Sequence, residues 1–252
     1  MTLENSTIYW LQKDHDFPLV SSAWGINSPA PGLLAAGGSL NPESLKIAYR
    51  SGIFPWFSED QPPLWWSPDP RMILKITDFK LHNSFKKILR SFIQSPNCQV
   101  RIDTNFHSVI KACAESNRKE QEGTWINSKM LKVYQELHHM GQAHSIETWR
   151  DGELVGGLYL VAIGRAVFGE SMFSKEPNAS KIALAALVAF CRHHRISQID
   201  CQQNTAHLLS LGAREVRRDL FIASIREEIK LTEPKWYFEQ KFWDELPLFK
   251  VN

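Results

Sequence analysis

Beyond Arg71 the apolar positions of the chain recur with two periods in turn. MILKI (72–76) and VRIDT (100–104) are short apolar or alternating runs, the pattern of strands. SFKKILRSFIQ (84–94) instead sets Phe85, Ile88, Leu89 and Phe92 on one helical face. NFHSVIKACAES (105–116) and NSKMLKVYQELHHMG (127–141) continue the helical period, the second ending at Gly141. Two successive strands follow from His144, with Asp151-Gly152 as the hairpin turn. ASKIALAALVAFCRHH (179–194) is the most apolar helix, ISQIDCQ (196–202) a strand, and TAHLLSLGA (205–213) a short helix stopped by Gly212. A last strand or helix is predicted between Glu215 and Lys230. This order predicts an α+β domain around a mostly antiparallel sheet over 71–252, preceded by a smaller unit over 1–70.

The smaller unit has one clear helix, from Pro42 to Ser51, with Asn41 as N-cap, Pro42 in the first helical position and Gly52 after its end. Five prolines between residues 52 and 71 then rule out regular elements and predict a rigid, extended segment. Its tryptophans, Trp56, Trp65 and Trp66, serve either as a strap between the two units or as the wall of a binding site. The segment Gly156–Phe190 draws attention for another reason. Glu170, Ser171, Ser174, Asn178 and Ser180 stand between runs apolar enough to be core, in what reads as a polar turn from strand to helix. Buried polar groups must be hydrogen-bonded or face a ligand, because leaving one unpaired costs about 1–3 kcal/mol.

Composition narrows the function classes. The 252 residues are 43% hydrophobic and 22% charged, which is ordinary for a globular protein. The first residues hold no basic region followed by an apolar run, and no apolar stretch reaches the roughly 18 residues of a membrane span, so a cytoplasmic protein is expected. Cys98, Cys113, Cys191 and Cys201 lack CxxC spacing and are expected as reduced thiols. The paired histidines His138-His139 and His193-His194 are adjacent on helices and so share no face, which serves metal ligation poorly. A net charge of +2 does not by itself mark a nucleic-acid binder. Between Arg71 and Arg101, however, seven basic residues face a single acid, Asp78. That excess is either a solvated face or a phosphate-backbone contact.

Two constellations could carry chemistry. Asp200 and Gln202 are two apart on a strand and therefore share a face, where a carboxylate and an amide could orient an amine and donate to an oxyanion. The same residues could equally cap or solvate a strand end. Glu170 is either a site carboxylate or a satisfied core residue; the GESMF context lacks the second glycine of a nucleophile elbow and has no Asp-His partner, which argues against Ser171 as a nucleophile.

The motifs GLLAAGGSL (32–40), YRSGIFPWFS (49–58), WWSPDPR (65–71), EGTWI (122–126), GQAHSIETW (141–149), ELVGGLYLVAIG (153–164), FGESMFS (168–174), NASKIAL (178–184), IDCQ (199–202) and SLGA (210–213) run through nearly the whole chain. With these motifs in this order, the chain resembles the leucyl/phenylalanyl-tRNA–protein transferases. The resemblance implies a C-terminal domain like the acyl-CoA N-acetyltransferases. It also implies a reaction without cofactor, ATP or metal: the α-amine of a protein beginning with Arg or Lys attacks the ester of an aminoacyl-tRNA carrying Leu, Phe or, less well, Met. The product is marked for degradation.

By the same resemblance, Asp200 would orient the amine and Gln202 assist at the carbonyl. Trp125, Leu158, Phe173 and Leu187 would shape the aminoacyl pocket, with Glu170 at its rim; Leu158 stands where the family pattern has Met. Trp56, Trp65 and Trp66 would stack the terminal adenosine, Lys86, Lys87 and Arg90 would meet tRNA phosphates, and the helix from Asn178 would offer its N-terminus to the 3′ end. A monomer is expected.

Two other readings stand beside this one. An acetyl-CoA-dependent acetyltransferase would share the fold, but SKEPNAS (174–180) lacks the glycines of a pyrophosphate loop. A tryptophan-rich carbohydrate- or peptide-binding module would leave the Asp200/Gln202 pair and the basic excess without a role.

Overall fold

A computed structural model describes residues 7–13, 16–116 and 126–248. The first part of the chain builds a four-stranded sheet from β1 (Trp10–Leu11), β2 (Leu33–Gly37), β3 (Phe54–Pro55) and β4 (Leu64–Trp66), in the order β1-β2-β4-β3. Helix α1 (Pro42–Arg50) lies between β2 and β3. Its start follows local chemistry: the Asn41 side chain accepts from the Ser44 amide, and Gly52 at φ +74° takes the left-handed turn after its end. The proline-rich segment is extended rather than helical, as expected, but it does hold regular elements: β3 and β4 both lie in it, because Pro55 sits in the edge strand β3, and their pairing sets Phe54 opposite Trp66.

The second part contains β5 (Arg71–Lys75), α2 (Asn83–Gln94), β6 (Cys98–Ile102), α3 (Phe106–Glu115), α4 (Ser128–His139), β7 (Ala143–Arg150), β8 (Glu153–Ile163), β9 (Ala166–Ser174), α5 (Ala179–His193), β10 (Gln198–Gln202), α6 (Ala206–Ser210), β11 (Arg214–Val216) and α7 (Arg218–Glu228). The segment predicted as a last strand or helix is thus both. Seven strands form one sheet in the order β11-β5-β10-β9-β8-β7-β6. Every neighbour is antiparallel except β9 and β10, which are parallel.

Alternation along the strands sorts the core into two layers. On β8, Tyr159, Val161 and Ile163 pack into a cluster with residues of α1, α3, α4, α7 and the small sheet. Leu158, Leu160 and Ala162 pack into a second cluster with α2, α5 and the segment around Phe242. The small sheet therefore contributes to the same core as one face of the large one. Helix α5 sits so close to β8 that a Cβ on Gly156 would lie 2.4 Å from Ala179 Cβ.

Two irregularities interrupt this order where the site forms. Opposite β8, Tyr159 pairs with Ser171 but Leu160 pairs with Gly169, so Glu170 is an extra residue bulged out of the ladder. Phe168 and Phe173 are five apart and would face opposite layers in a regular strand, yet the bulge brings both into the same cluster. On β10 the register to β5 slips between Asp200 and Gln202, with Gln202 at φ +62°. The parallel pair itself holds only at Ile199↔Val167 and Asp200↔Phe168. Past those residues the two strands part, and a gap opens through the sheet.

Candidate active site

A cavity of about 380 Å³ occupies that gap. Its apolar wall is Leu158, Met172, Leu184, Leu187 and Ile199, from the α5 layer; Phe54 and Trp56 come from the small sheet, and Thr205, His207 and Leu208 from α6. Glu170, Asp200 and Gln202 supply its polar groups.

These polar groups form one connected network. The Arg71 guanidinium donates through Nε to Asp200 Oδ1 (2.8 Å) and through Nη2 to Oδ2 (2.6 Å), and its Nη1 donates to the Gly52 carbonyl. It lies between the rings of Phe54 and Phe221, 4.7 Å from each centroid. Both ends of this ion pair have side chains only 1% exposed. Asp200 Oδ1 also accepts from the Gln202 backbone amide at 2.9 Å, which holds Gln202 in its left-handed conformation. The Gln202 side-chain amide then donates to Glu170 Oε1 at 2.8 Å. Around Glu170 stand two phenols, Tyr49 Oη 2.7 Å from Oε1 and Tyr134 Oη 3.0 Å from Oε2, and the two hydroxyls are 2.6 Å apart.

Burial dominates the acid–base properties here. It pushes the Glu170 carboxyl up to about 8, although Tyr49, Tyr134 and Gln202 pull the other way by hydrogen bonding. Burial, reinforced by the neighbouring Glu170, also raises both Tyr49 and Tyr134 well above the ordinary phenol value. The His207 imidazole is lowered by partial desolvation and then by Lys181.

The sequence-derived site divides when placed on this geometry. Leu158, Leu187, Glu170, Asp200, Gln202 and Trp56 meet at the cavity. Phe173 does not line it; it packs in the opposite core layer near Val109, and Met172 beside it faces the cavity instead. Trp65 is also core, 1% exposed, with its indole N–H donated to the Gly37 carbonyl and Phe17 against its ring. Trp66 stands edge-on behind Trp56 and donates to its carbonyl. Trp125 lies outside the described residues.

Glu170 and Ser171 belong to strand β9 rather than to a turn. At the start of α5 the Ser180 amide is already capped by Ser174 Oγ at 2.8 Å, and that helix end is not part of the cavity wall. Lys86, Lys87 and Arg90 all lie on α2, away from the wall, and Arg90 donates to the Leu248 carbonyl. Arg71, counted with the basic excess, is a buried part of the site.

Tyr49, Tyr134, Arg71, Met172 and His207 were missed. A tyrosine on the apolar face of a helix reads as core, so the two phenols left no trace in the pattern. Arg71 did leave one: an arginine opening an apolar strand and an aspartate inside another each need an opposite charge.

A sequence model of the leucyl/phenylalanyl-tRNA protein transferase family matches residues 73–226, and a model of that family's N-terminal domain matches residues 38–69. The chain is 57% identical to the leucyl/phenylalanyl-tRNA–protein transferase of Albidiferax ferrireducens, over 98% of this chain and 97% of that one.

The chain belongs to the leucyl/phenylalanyl-tRNA–protein transferase family.

It is accordingly an aminoacyltransferase. The transferase of a Polaromonas species is 54% identical over 94% of this chain and 93% of that one. Among solved structures, a GCN5-related N-acetyltransferase-like protein from Streptococcus suis is similar at 12% identity and a TM-score of 0.33, covering 69% of this chain and 64% of that one. No helix among the described residues is long and apolar enough to cross a membrane, and none of their His, Cys, Asp and Glu side chains group as a metal site.

Proposed function

We propose that this chain moves Leu or Phe, and less readily Met, from aminoacyl-tRNA to the α-amino group of proteins beginning with Arg or Lys, marking them for degradation. It does so as a cytoplasmic monomer, through a catalytic domain over 71–252 closed by a small domain over 1–70. The observation that carries the reading is a cavity with an apolar end (Leu158, Met172, Leu184 and Leu187) beside a polar cluster of Asp200, Gln202 and Glu170. An apolar side chain without a branch at Cβ fills the first while its ester lies at the second.

The chemistry asks little of the protein. The donor ester is already activated, and an α-amine with an ordinary pKa of about 7.7–8.0 is substantially neutral near pH 7.5. Positioning then supplies much of the acceleration. Gln202 spends one amide hydrogen on Glu170; its second is free for the ester carbonyl, where charge develops as the amine attacks. The C–N bond forms, the bond to the ribose oxygen breaks, and the proton shed by the amine balances the one the ribose oxygen takes up. Asp200 has both oxygens committed to Arg71 and the Gln202 amide. It works by setting Gln202 in place rather than by taking a proton. Trp56 offers a face for the terminal adenine, and Lys86 and Lys87 a diffuse attraction for the tRNA backbone.

Incubation with labelled phenylalanyl-tRNA and a protein starting with Arg tests this directly, and transfer of label to that protein is expected. Labelling by acetyl-CoA alone would instead support an acetyltransferase. Within the reaction, Gln202→Ala is expected to lower turnover about 10²–10³-fold, the usual loss of one oxyanion donor. Near-normal turnover in that variant would remove Gln202 from the mechanism.

A further inference from the structure

The oxygens of Tyr49, Tyr134 and Glu170 close a ring of three contacts: 2.6 Å between the phenols, 2.7 Å from Tyr49 to Oε1 and 3.0 Å from Tyr134 to Oε2. Each separation is a hydrogen-bond distance, and lone-pair-bearing oxygens this close repel one another unless a hydrogen lies between them. The phenols bring one hydrogen each. With an ionised carboxyl the ring has two hydrogens for three contacts, and one pair of lone-pair-bearing oxygens is left facing each other beside two fully buried phenols.

The missing hydrogen must be the carboxyl's own, and its position is fixed by Gln202. Oε1 already accepts from the Gln202 amide and from Tyr49, so it is the carbonyl oxygen. The proton therefore sits on Oε2. From there the ring runs in one sense: Oε2–H donates to Tyr134, Tyr134 to Tyr49, and Tyr49 back to Oε1. Bonds arranged head to tail in this way polarise and strengthen one another.

We infer that the third hydrogen of this ring sits on Glu170, which is therefore a neutral carboxylic acid, and that this neutrality makes the cavity select an uncharged aminoacyl side chain. Burial acts in the same direction, holding the group protonated up to about pH 8. The other groups facing Glu170 do not offset it: Asp200 on β10 is matched by Arg71 on β5, and Tyr159 on β8 is a phenol. Of the other ionisable residues of the wall, the Cys201 thiol is raised by burial and the His207 imidazole is lowered, so neither adds charge near pH 7. The cavity thus carries Glu170 without charge and Asp200 with its charge cancelled. An ionised Glu170 would place an unpaired anion beside Leu158 and Leu187 and favour lysyl- or arginyl-type donors over apolar ones.

The selectivity half of this inference rests on the proposed function; the protonation half does not, and two measurements keep them apart. In the full chain, infrared difference spectra against Glu170→Gln, together with ¹³C resonances of glutamate-labelled wild-type protein, read the carboxyl itself. A carboxylic-acid carbonyl signal at pH 7 that disappears with a midpoint near 8 is expected. A carboxylate signal from Glu170 at pH 7 overturns the ring.

The second measurement is binding of the 3′-amide analogues of phenylalanyl- and lysyl-adenosine. The preference for phenylalanyl is expected to fall about tenfold between pH 7 and 9 in the wild type, where the lysine side chain stays charged throughout. It should stay constant in Glu170→Gln, whose amide reproduces the neutral acid. A wild-type preference that does not move with pH overturns the selectivity role. Failure of both analogues to bind strikes at the proposed function and leaves the protonation result standing.

Discussion

Two glutamates of the same sheet, Glu147 fully buried and Glu170 half-buried in a cavity wall, are satisfied in opposite ways. Glu147 on β7 accepts from Thr104 Oγ1, the Asn105 backbone amide, Ser145 Oγ and Trp149 Nε1. Four donors on two oxygens fill a carboxylate's acceptor capacity, and every one lies on or beside β6 and β7. This cluster pins the loop that opens α3, and it is not part of the wall of the cavity at Glu170. Glu170 on β9 has three partners, two of them phenols that also bond each other, drawn from α1, α4 and β10. One glutamate is a structural staple with nothing left to offer; the other is short of a hydrogen and stands in the wall of the site. Donor count and access to the cavity together separate the two.

The largest effect is expected at the ion pair that anchors the second arrangement. Replacing Arg71 by Met leaves the Asp200 carboxylate buried without its partner, and breaking a buried pair from one side costs about 3–5 kcal/mol. Urea unfolding should show that loss, and the double variant Arg71→Met/Asp200→Leu should recover most of it, because two apolar side chains leave no orphaned charge. If the double variant is no better than the single one, the pair is held by more than its own charges. A smaller loss is expected from Glu147→Gln. Whichever oxygen its amide nitrogen replaces, one obligate donor (the Asn105 amide or the Trp149 indole) is orphaned at about 1–3 kcal/mol, while the Ser145 or Thr104 hydroxyl can turn to accept. The same unfolding measurement decides it, and an unchanged midpoint would mean that the staple carries no stability.

Much of this molecule was legible in the sequence, because much of it is local. The Asn41 cap, the Asp151-Gly152 turn and the alternation along β8 follow from rules reaching no further than a few residues. The site residues Asp200, Gln202, Glu170, Leu158 and Leu187 were found through motifs, and the structure brings them together. What failed to show was set by single-residue slips and by distance. The bulge at Glu170 shifts the parity of β9, so Phe173 faces the core where Met172 faces the cavity. Arg71 is 129 positions from Asp200, and only the antiparallel pairing of β5 with β10 makes them neighbours. Asp200 and Gln202 do meet, though by a backbone hook through a bulge rather than by plain alternation.

The smallest effect has the opposite sign and is the sharpest test of the contrast. Glu170 has a folded-state pKa raised from 4.5 to about 8. Between those values the folded chain binds a proton that the unfolded chain has lost, so stability falls as pH rises through that window and levels off above it. The contribution is complete below the unfolded value and gone once the pH passes about 8. Gln at this position cannot ionise in either state, and its amide nitrogen can donate to Tyr134 where the acid proton did. Glu170→Gln should therefore melt close to the wild type at pH 5 and a few degrees above it at pH 8, within the range one or two kcal/mol produces in a domain of this size. That is the reverse of the loss expected for Glu147→Gln at every pH. Thermal melts of both variants at the two pH values decide the matter: if both glutamines destabilise alike at pH 8, then Glu170 is a second staple and the proton assigned to it is not there.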